Sequence, residues 1–232
     1  MKRRGRISVG GCLAAMVSMC VAGRVFPTPT VAAESPTSSD YELVLAGRAD
    51  KILATIDGMT ADARGRVRGV LLDFYRSLNA WHDAHGARRK ELRSLADDAS
   101  KAELATLDGQ LATIRDGFVE RLSADLTAEQ VAAVKDGLTY NVLHVTERAY
   151  QEMIETLNDE QKVQIHEWLV EARDLAIGEG NSEAKHAVFG KFKGRINNYL
   201  SQQGYDLKQE ERGWQSRRKA AAEIGTTTRE SK

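Results

Sequence analysis

The residue types best suited to binding chemistry are concentrated in one stretch near the C-terminus, KHAVFGKFKGRINNYLSQQGYDL, residues 185–207. Basic side chains, adjacent asparagines and aromatic rings alternate there with apolar residues. Guanidinium and ammonium groups bind carboxylates, and amides bind hydroxyls, so the stretch suits an acidic sugar such as a uronic acid. The candidate ligand-binding residues are Lys185, His186, Lys191, Lys193, Arg195, Asn197, Asn198, Tyr199, Tyr205 and Asp206.

The same stretch is also typical of a plain amphipathic helix, because its apolar residues share one face and a basic stripe runs beside them. Residues 183–232 carry 11 basic and 6 acidic side chains, whereas residues 34–182 carry 17 basic and 27 acidic ones. The stripe is therefore open to three interpretations: a ligand site, a solvated face, or a partner for the acidic body of the chain. Nucleic acid is not an expected partner, since it requires a larger basic surface.

Other chemistries lack a complete set of residues. His82 and His85 lie one helical turn apart, but no third metal ligand is near in sequence, so packing is the preferred interpretation. Both cysteines, Cys12 and Cys20, fall in the N-terminal segment, which leaves no thiol further along. No serine nucleophile motif or phosphate-binding loop occurs, and no carboxylate pair stands out. We predict neither a metal nor a cofactor; enzymatic activity stays open, with a binding protein favoured.

Helices must position these residues, because apolar side chains recur at helical spacing along nearly the whole chain. The three prolines all lie at or before Pro36, so the rest of the chain is free of helix breakers. The pattern predicts an all-α fold, a single bundle-like domain of about six or seven helices at residues 40–222. A flexible leader at 34–39 precedes it, and a disordered tail at 223–232 follows. Only TYNVLHV, residues 139–145, resembles a strand.

The first 33 residues have the layout of a secretory signal peptide. Four basic residues precede an apolar run from Ile7 to Gly23, and small residues close the segment at Ala32 and Ala33. The run is glycine-rich and shorter than a typical transmembrane helix. We therefore expect cleavage after Ala33, an extracytoplasmic protein, either periplasmic or secreted, and no stable membrane span.

Two helix starts resemble each other, LTAEQ at 126–130 and LNDEQ at 157–161. Each places an N-cap residue, Thr127 or Asn158, three positions before a glutamine, which is the pattern of a capping box. Leu-Thr-x-x-Gln is also similar to a signature of small helical periplasmic stress chaperones. A chaperone-like periplasmic protein is therefore an alternative function.

A longer resemblance covers roughly residues 40–215. The strings LTAEQVAAVKDGLTYNV, AYQEMIETLNDEQK and EARDLAIGEGNSEAKHAVFGKFKGRINNYLSQQGYDL resemble the bacterial domain-of-unknown-function family 3826, most densely from Lys185 to Asp206. The resemblance implies an exported, helical protein that binds sugar, and it carries over no catalytic residue.

Together these observations predict an exported accessory protein of carbohydrate utilisation that binds a glycan fragment without catalysis. Its carbohydrate ligand would be neutral or an acidic oligosaccharide, with Tyr140 or Trp214 adding a ring to stack against the sugar. An uncharacterised carbohydrate-active enzyme is the remaining alternative.

Overall fold

The computed structural model describes residues 38–230, with side chains at 39–221 and at Glu223. The predicted signal peptide at 1–33 and most of the predicted leader lie outside the described residues. Over 38–230 the chain forms helices and no strand, which confirms the all-α prediction. The helices are α1 (Ser38–Leu53), α2 (Ala61–Leu92), α3 (Asp98–Ser123), α4 (Ala128–Leu138), α5 (Val142–Met153), α6 (Asp159–Ala176), α7 (Ser182–Gln202) and α8 (Leu207–Glu230).

The described residues hold eight helices rather than six or seven, in part because a tight turn separates α4 from α5. Tyr140 and Asn141 both adopt left-handed backbone conformations there, with φ of 58° and 56°. Two residues in this conformation end a helix although neither is glycine or proline. The end of α4 therefore cannot be predicted from the amino-acid composition of the turn. The strand-like stretch at 139–145 is this turn followed by the start of α5. At the other end, α8 passes residue 223, where the sequence predicts a disordered tail.

Local hydrogen bonds fix several helix ends where the sequence predicts them. Both capping boxes are present, Thr127 with Gln130 and Asn158 with Gln161. α7 ends at Gln202, and the chain turns at Gly204, whose φ of 95° is accessible to glycine without steric cost. These signals are readable from sequence because each involves residues only a few positions apart.

Within residues 38–230, buried apolar side chains form two clusters. The first unites α1 to α4 and includes Ile177, and the second unites α5 to α8. Buried charges join the two halves: Asp136 of α4 accepts a hydrogen bond of 3.0 Å from Arg173 of α6. Every buried side-chain nitrogen and oxygen among the described residues has a hydrogen-bond partner, as a stable interior requires.

None of the helices within 38–230 is sufficiently long and apolar to cross a membrane.

Candidate functional site

A cleft of about 580 Å³ lies between α1 and α2 on one side and the α4–α5 turn and residues 177–185 on the other. Its volume falls within the range of small-molecule sites, about 300 to 1,000 Å³. The lining is part apolar, with Leu45, Phe74 and Ile177. The lining side chains on which its chemistry depends are Arg48, Lys51, Tyr75, Tyr140, Glu179 and Lys185.

Lys185 extends from the first turn of α7 into the cleft wall, where its side chain is buried. Its Nζ donates a hydrogen bond of 2.8 Å to the carbonyl oxygen of Leu138 and lies 5.9 Å from the ring centroid of Tyr140. Burial, and then the positive charge of Arg48, lower the pKa of Lys185 to about 8, against an opposing effect of Glu179. A buried amine that titrates near neutral pH is typical of functional sites.

The turn between α4 and α5 brings an aromatic ring to the cleft. Tyr140 is 57% exposed, and its ring stacks on that of His186 at a centroid distance of 6.1 Å. Its left-handed backbone costs about 1 to 2 kcal/mol for a residue with a side chain. A backbone hydrogen bond of 2.9 Å from the Asn141 amide to the Asp136 carbonyl holds the turn in place. Strain of this kind is concentrated at ligand-binding positions.

Two polar groups of the opposite wall are free to bind a ligand. Within the part of the chain that the structure describes, neither the Arg48 guanidinium nor the Tyr75 hydroxyl makes a hydrogen bond or ion pair. Burial raises the pKa of Tyr75 to about 12, although Arg48 opposes the shift. The phenol therefore keeps its proton throughout the physiological range and remains a hydrogen-bond donor.

Residues 177–181, here called the bridging segment, close one end of the cleft and are fixed to α2. His82 Nε2 lies 2.8 Å from the Gly178 carbonyl oxygen, and Arg89 Nη1 donates to both carboxylate oxygens of Glu179 at 3.0 Å. A Cβ on Gly180 would lie 2.9 Å from the His82 ring, so only glycine permits this close approach. The bridging segment is thus a rigid part of the wall.

These contacts give His82 a packing role. Both members of the predicted histidine pair also lie beside Trp81, at centroid distances of 5.0 Å for His82 and 5.5 Å for His85. Over residues 38–230 no three His, Cys, Asp or Glu side chains are grouped so as to hold a metal ion.

Of the ten predicted ligand-binding residues, Lys185 lines the cleft and His186 contacts its Tyr140. The others lie along the outward side of α7 and in the turn that precedes α8. Asn197 accepts a hydrogen bond of 2.7 Å from Tyr150, and Arg195 lies 4.5 Å above the Trp168 ring. In the rest of this outer group, Lys191, Lys193 and Asn198 are exposed. The Tyr199 ring packs against Trp168, the Tyr205 hydroxyl donates a hydrogen bond to Gln161, and Asp206 lies immediately before α8. The structure therefore divides the predicted set into two surfaces.

Comparison with known proteins gives a match over most of the domain. Residues 43–220 match a family model described as "Protein of unknown function (DUF3826)". No curated protein matches the chain.

Proposed function

This chain belongs to the DUF3826 family, and we propose that it is an exported accessory protein of carbohydrate utilisation that binds an acidic glycan in the cleft. The observation that carries the proposal is an excess of available positive charge. Arg48, Lys51 and Lys185 line the cleft, whereas its single carboxylate among the described residues, Glu179, is already bound by Arg89. A ligand carboxylate would supply the missing negative charge.

The remaining lining groups support a sugar rather than a simple anion. Tyr75 and Tyr140 offer rings for the apolar face of a pyranose and hydroxyls for its polar rim. Asn141 also lines the cleft. Its side chain makes no capping hydrogen bond to α5, so the side-chain amide is available to sugar hydroxyls. Ligand sites combine apolar side chains with polar groups that orient the ligand, and the lining of this cleft has both.

We expect acidic oligosaccharides to bind at least about tenfold more tightly than neutral ones, because one charge-assisted hydrogen bond contributes about 1.5 to 3 kcal/mol. Isothermal titration of the purified protein would compare oligogalacturonides, alginate and hyaluronan oligosaccharides with neutral cello- and xylo-oligosaccharides. The preference should shrink between about 20 mM and about 500 mM salt, since salt screens accessible charges. Equal affinity for acidic and neutral sugars, or no binding to either, would contradict the proposal.

Export is the second part of the proposal, and it depends on the signal-peptide pattern at 1–33. Protein recovered from the periplasmic or secreted fraction should have an intact mass that lacks these 33 residues. Full-length protein retained in the cytoplasm would disprove export.

A further inference from the structure

The residues described around the cleft do not include the groups of a two-carboxylate glycosidase. Such enzymes place an acid and a base or nucleophile, both Asp or Glu, on either side of the glycosidic bond. Among the described lining residues only Glu179 has a carboxylate, and Arg89 occupies both of its oxygens. If the cleft acts on a glycan, then, it must use different groups.

The groups that are present match another reaction on acidic sugars. A glycosidic bond to O4 of a uronate can be broken by β-elimination. In this reaction a base removes the proton on C5, and a cation neutralises the C6 carboxylate. An acid then protonates the oxygen that leaves C4. Lys185 supplies an amine, Arg48 a guanidinium and Tyr75 a phenol, all on the walls of one cleft. Neither Arg48 nor Tyr75 has a side-chain partner within residues 38–230. The geometry points to a β-elimination site for 4-linked uronate glycans, an inference that rests on the acidic-glycan binding proposed above.

Arg48 would hold the C6 carboxylate and thereby acidify the neighbouring C5–H bond. The neutral amine of Lys185 takes the C5 proton and becomes an ammonium group. The electrons of the C–H bond form the C4=C5 double bond as the C4–O bond breaks, and the departing oxygen takes the proton of the Tyr75 hydroxyl. The ammonium proton then returns to the tyrosinate through solvent. One chain becomes two, with no water consumed and no redox partner required.

The surroundings of Lys185 allow the amine to act as a base. Its hydrogen bond to the Leu138 carbonyl uses one N–H, so the neutral amine keeps its lone pair for a substrate proton. The charged and titratable groups around it are Arg48 on α1, Tyr75 on α2, Tyr140 in the turn and Glu179 in the bridging segment, with His186 on its own helix. A pKa of about 8 for Lys185 leaves part of the population neutral at physiological pH, which general-base catalysis requires.

The test is incubation of the purified protein with polygalacturonate, alginate and hyaluronan, followed by ultraviolet absorbance and mass spectrometry. We expect unsaturated products whose summed mass equals that of the substrate chain. The rate should rise with pH and level off above about 8, as Lys185 loses its proton. Products heavier by one water per cut would instead indicate hydrolysis and overturn the inference.

Two variants separate chemistry from binding. Lys185→Arg keeps the positive charge but removes the base, and Tyr75→Phe keeps the ring but removes the acid. Each should lower the elimination rate at least about 100-fold, the usual contribution of a general acid or base, and this loss should exceed any loss of oligouronide affinity measured on the same variant. Lys101→Arg, at an exposed position on α3, is the control and should match the wild type. Unchanged rates in both site variants would overturn the assignment of these groups.

Wild-type protein that binds the acidic panel but cuts none of its members would overturn the elimination inference and leave the binding proposal intact. Protein that binds none of them would overturn both. Circular dichroism of each variant confirms that a lost rate does not reflect a lost fold.

Discussion

Replacing Arg48 with alanine is expected to weaken oligouronide binding by about 10- to 100-fold. The guanidinium lines the cleft and has no partner among the described residues, so its hydrogen-bonding capacity is free for a ligand carboxylate. A hydrogen bond to a charged group contributes about 1.5 to 3 kcal/mol, which corresponds to this range of affinity. Arg48 is exposed, and the free energy of unfolding should change by no more than about 0.5 kcal/mol. Titration calorimetry and thermal unfolding of the same sample measure both quantities.

The matched control removes polar groups from the outward side of α7 instead, through Lys191→Ala, Arg195→Ala and Asn198→Ala in one protein. It eliminates two positive charges, one more than the Arg48 variant. If the cleft is the binding site, this triple variant should bind the oligouronide within about twofold of the wild type. Loss of binding in the triple variant, together with normal binding by Arg48→Ala, would place the glycan on α7 as the sequence predicts.

The helical fold was predictable because its signals are local. The apolar spacing of α2 and α3, the two capping boxes and the turn at Gly204 each depend on residues within about one or two turns of one another. The α4–α5 turn was not predictable in this way. Tyr140 and Asn141 adopt left-handed conformations because contacts around them favour it, including the bond from Asn141 to the Asp136 carbonyl.

The cleft was predictable only in part, because its walls come from elements far apart in sequence. Lys185 was predicted as a binding residue from the composition of residues 185–207. Its burial, however, depends on a hydrogen bond to the Leu138 carbonyl, which is 47 residues away. Arg48 and Tyr75 occupy ordinary helical positions, and nothing in the spacing of α1 or α2 distinguishes them from solvated residues. Their proposed role depends on their lining the same cleft as Lys185. A single sequence does not show which distant side chains lie close together in the fold.

Breaking the buried ion pair between Asp136 and Arg173 is expected to lower the stability of the protein strongly. Asp136 and Arg173 have side chains only 9% and 8% exposed, and their atoms lie 3.0 Å apart. Replacing Asp136 with leucine leaves the Arg173 guanidinium buried, and its one remaining partner among the described residues is Asp174, at 3.1 Å. Breaking a buried pair from one side typically costs 3 to 5 kcal/mol, so we expect about 3 kcal/mol and a fall in Tm of about 6 to 12 °C. Chemical and thermal unfolding provide the two values.

The double variant, Asp136→Leu with Arg173→Met, tests whether the cost arises from the stranded charge. Removing both partners also removes the need to desolvate either one, so stability should return to within about 1 kcal/mol of the wild type. The exposed pair of Arg195 with Glu171, at 3.3 Å, serves as the comparison: Glu171→Ala should cost less than about 1 kcal/mol. A double variant as unstable as Asp136→Leu would mean that the carboxylate is needed in its own right. Its second oxygen lies 3.0 Å from His144 of α5, and the α4–α5 turn beside the cleft would then depend on that contact.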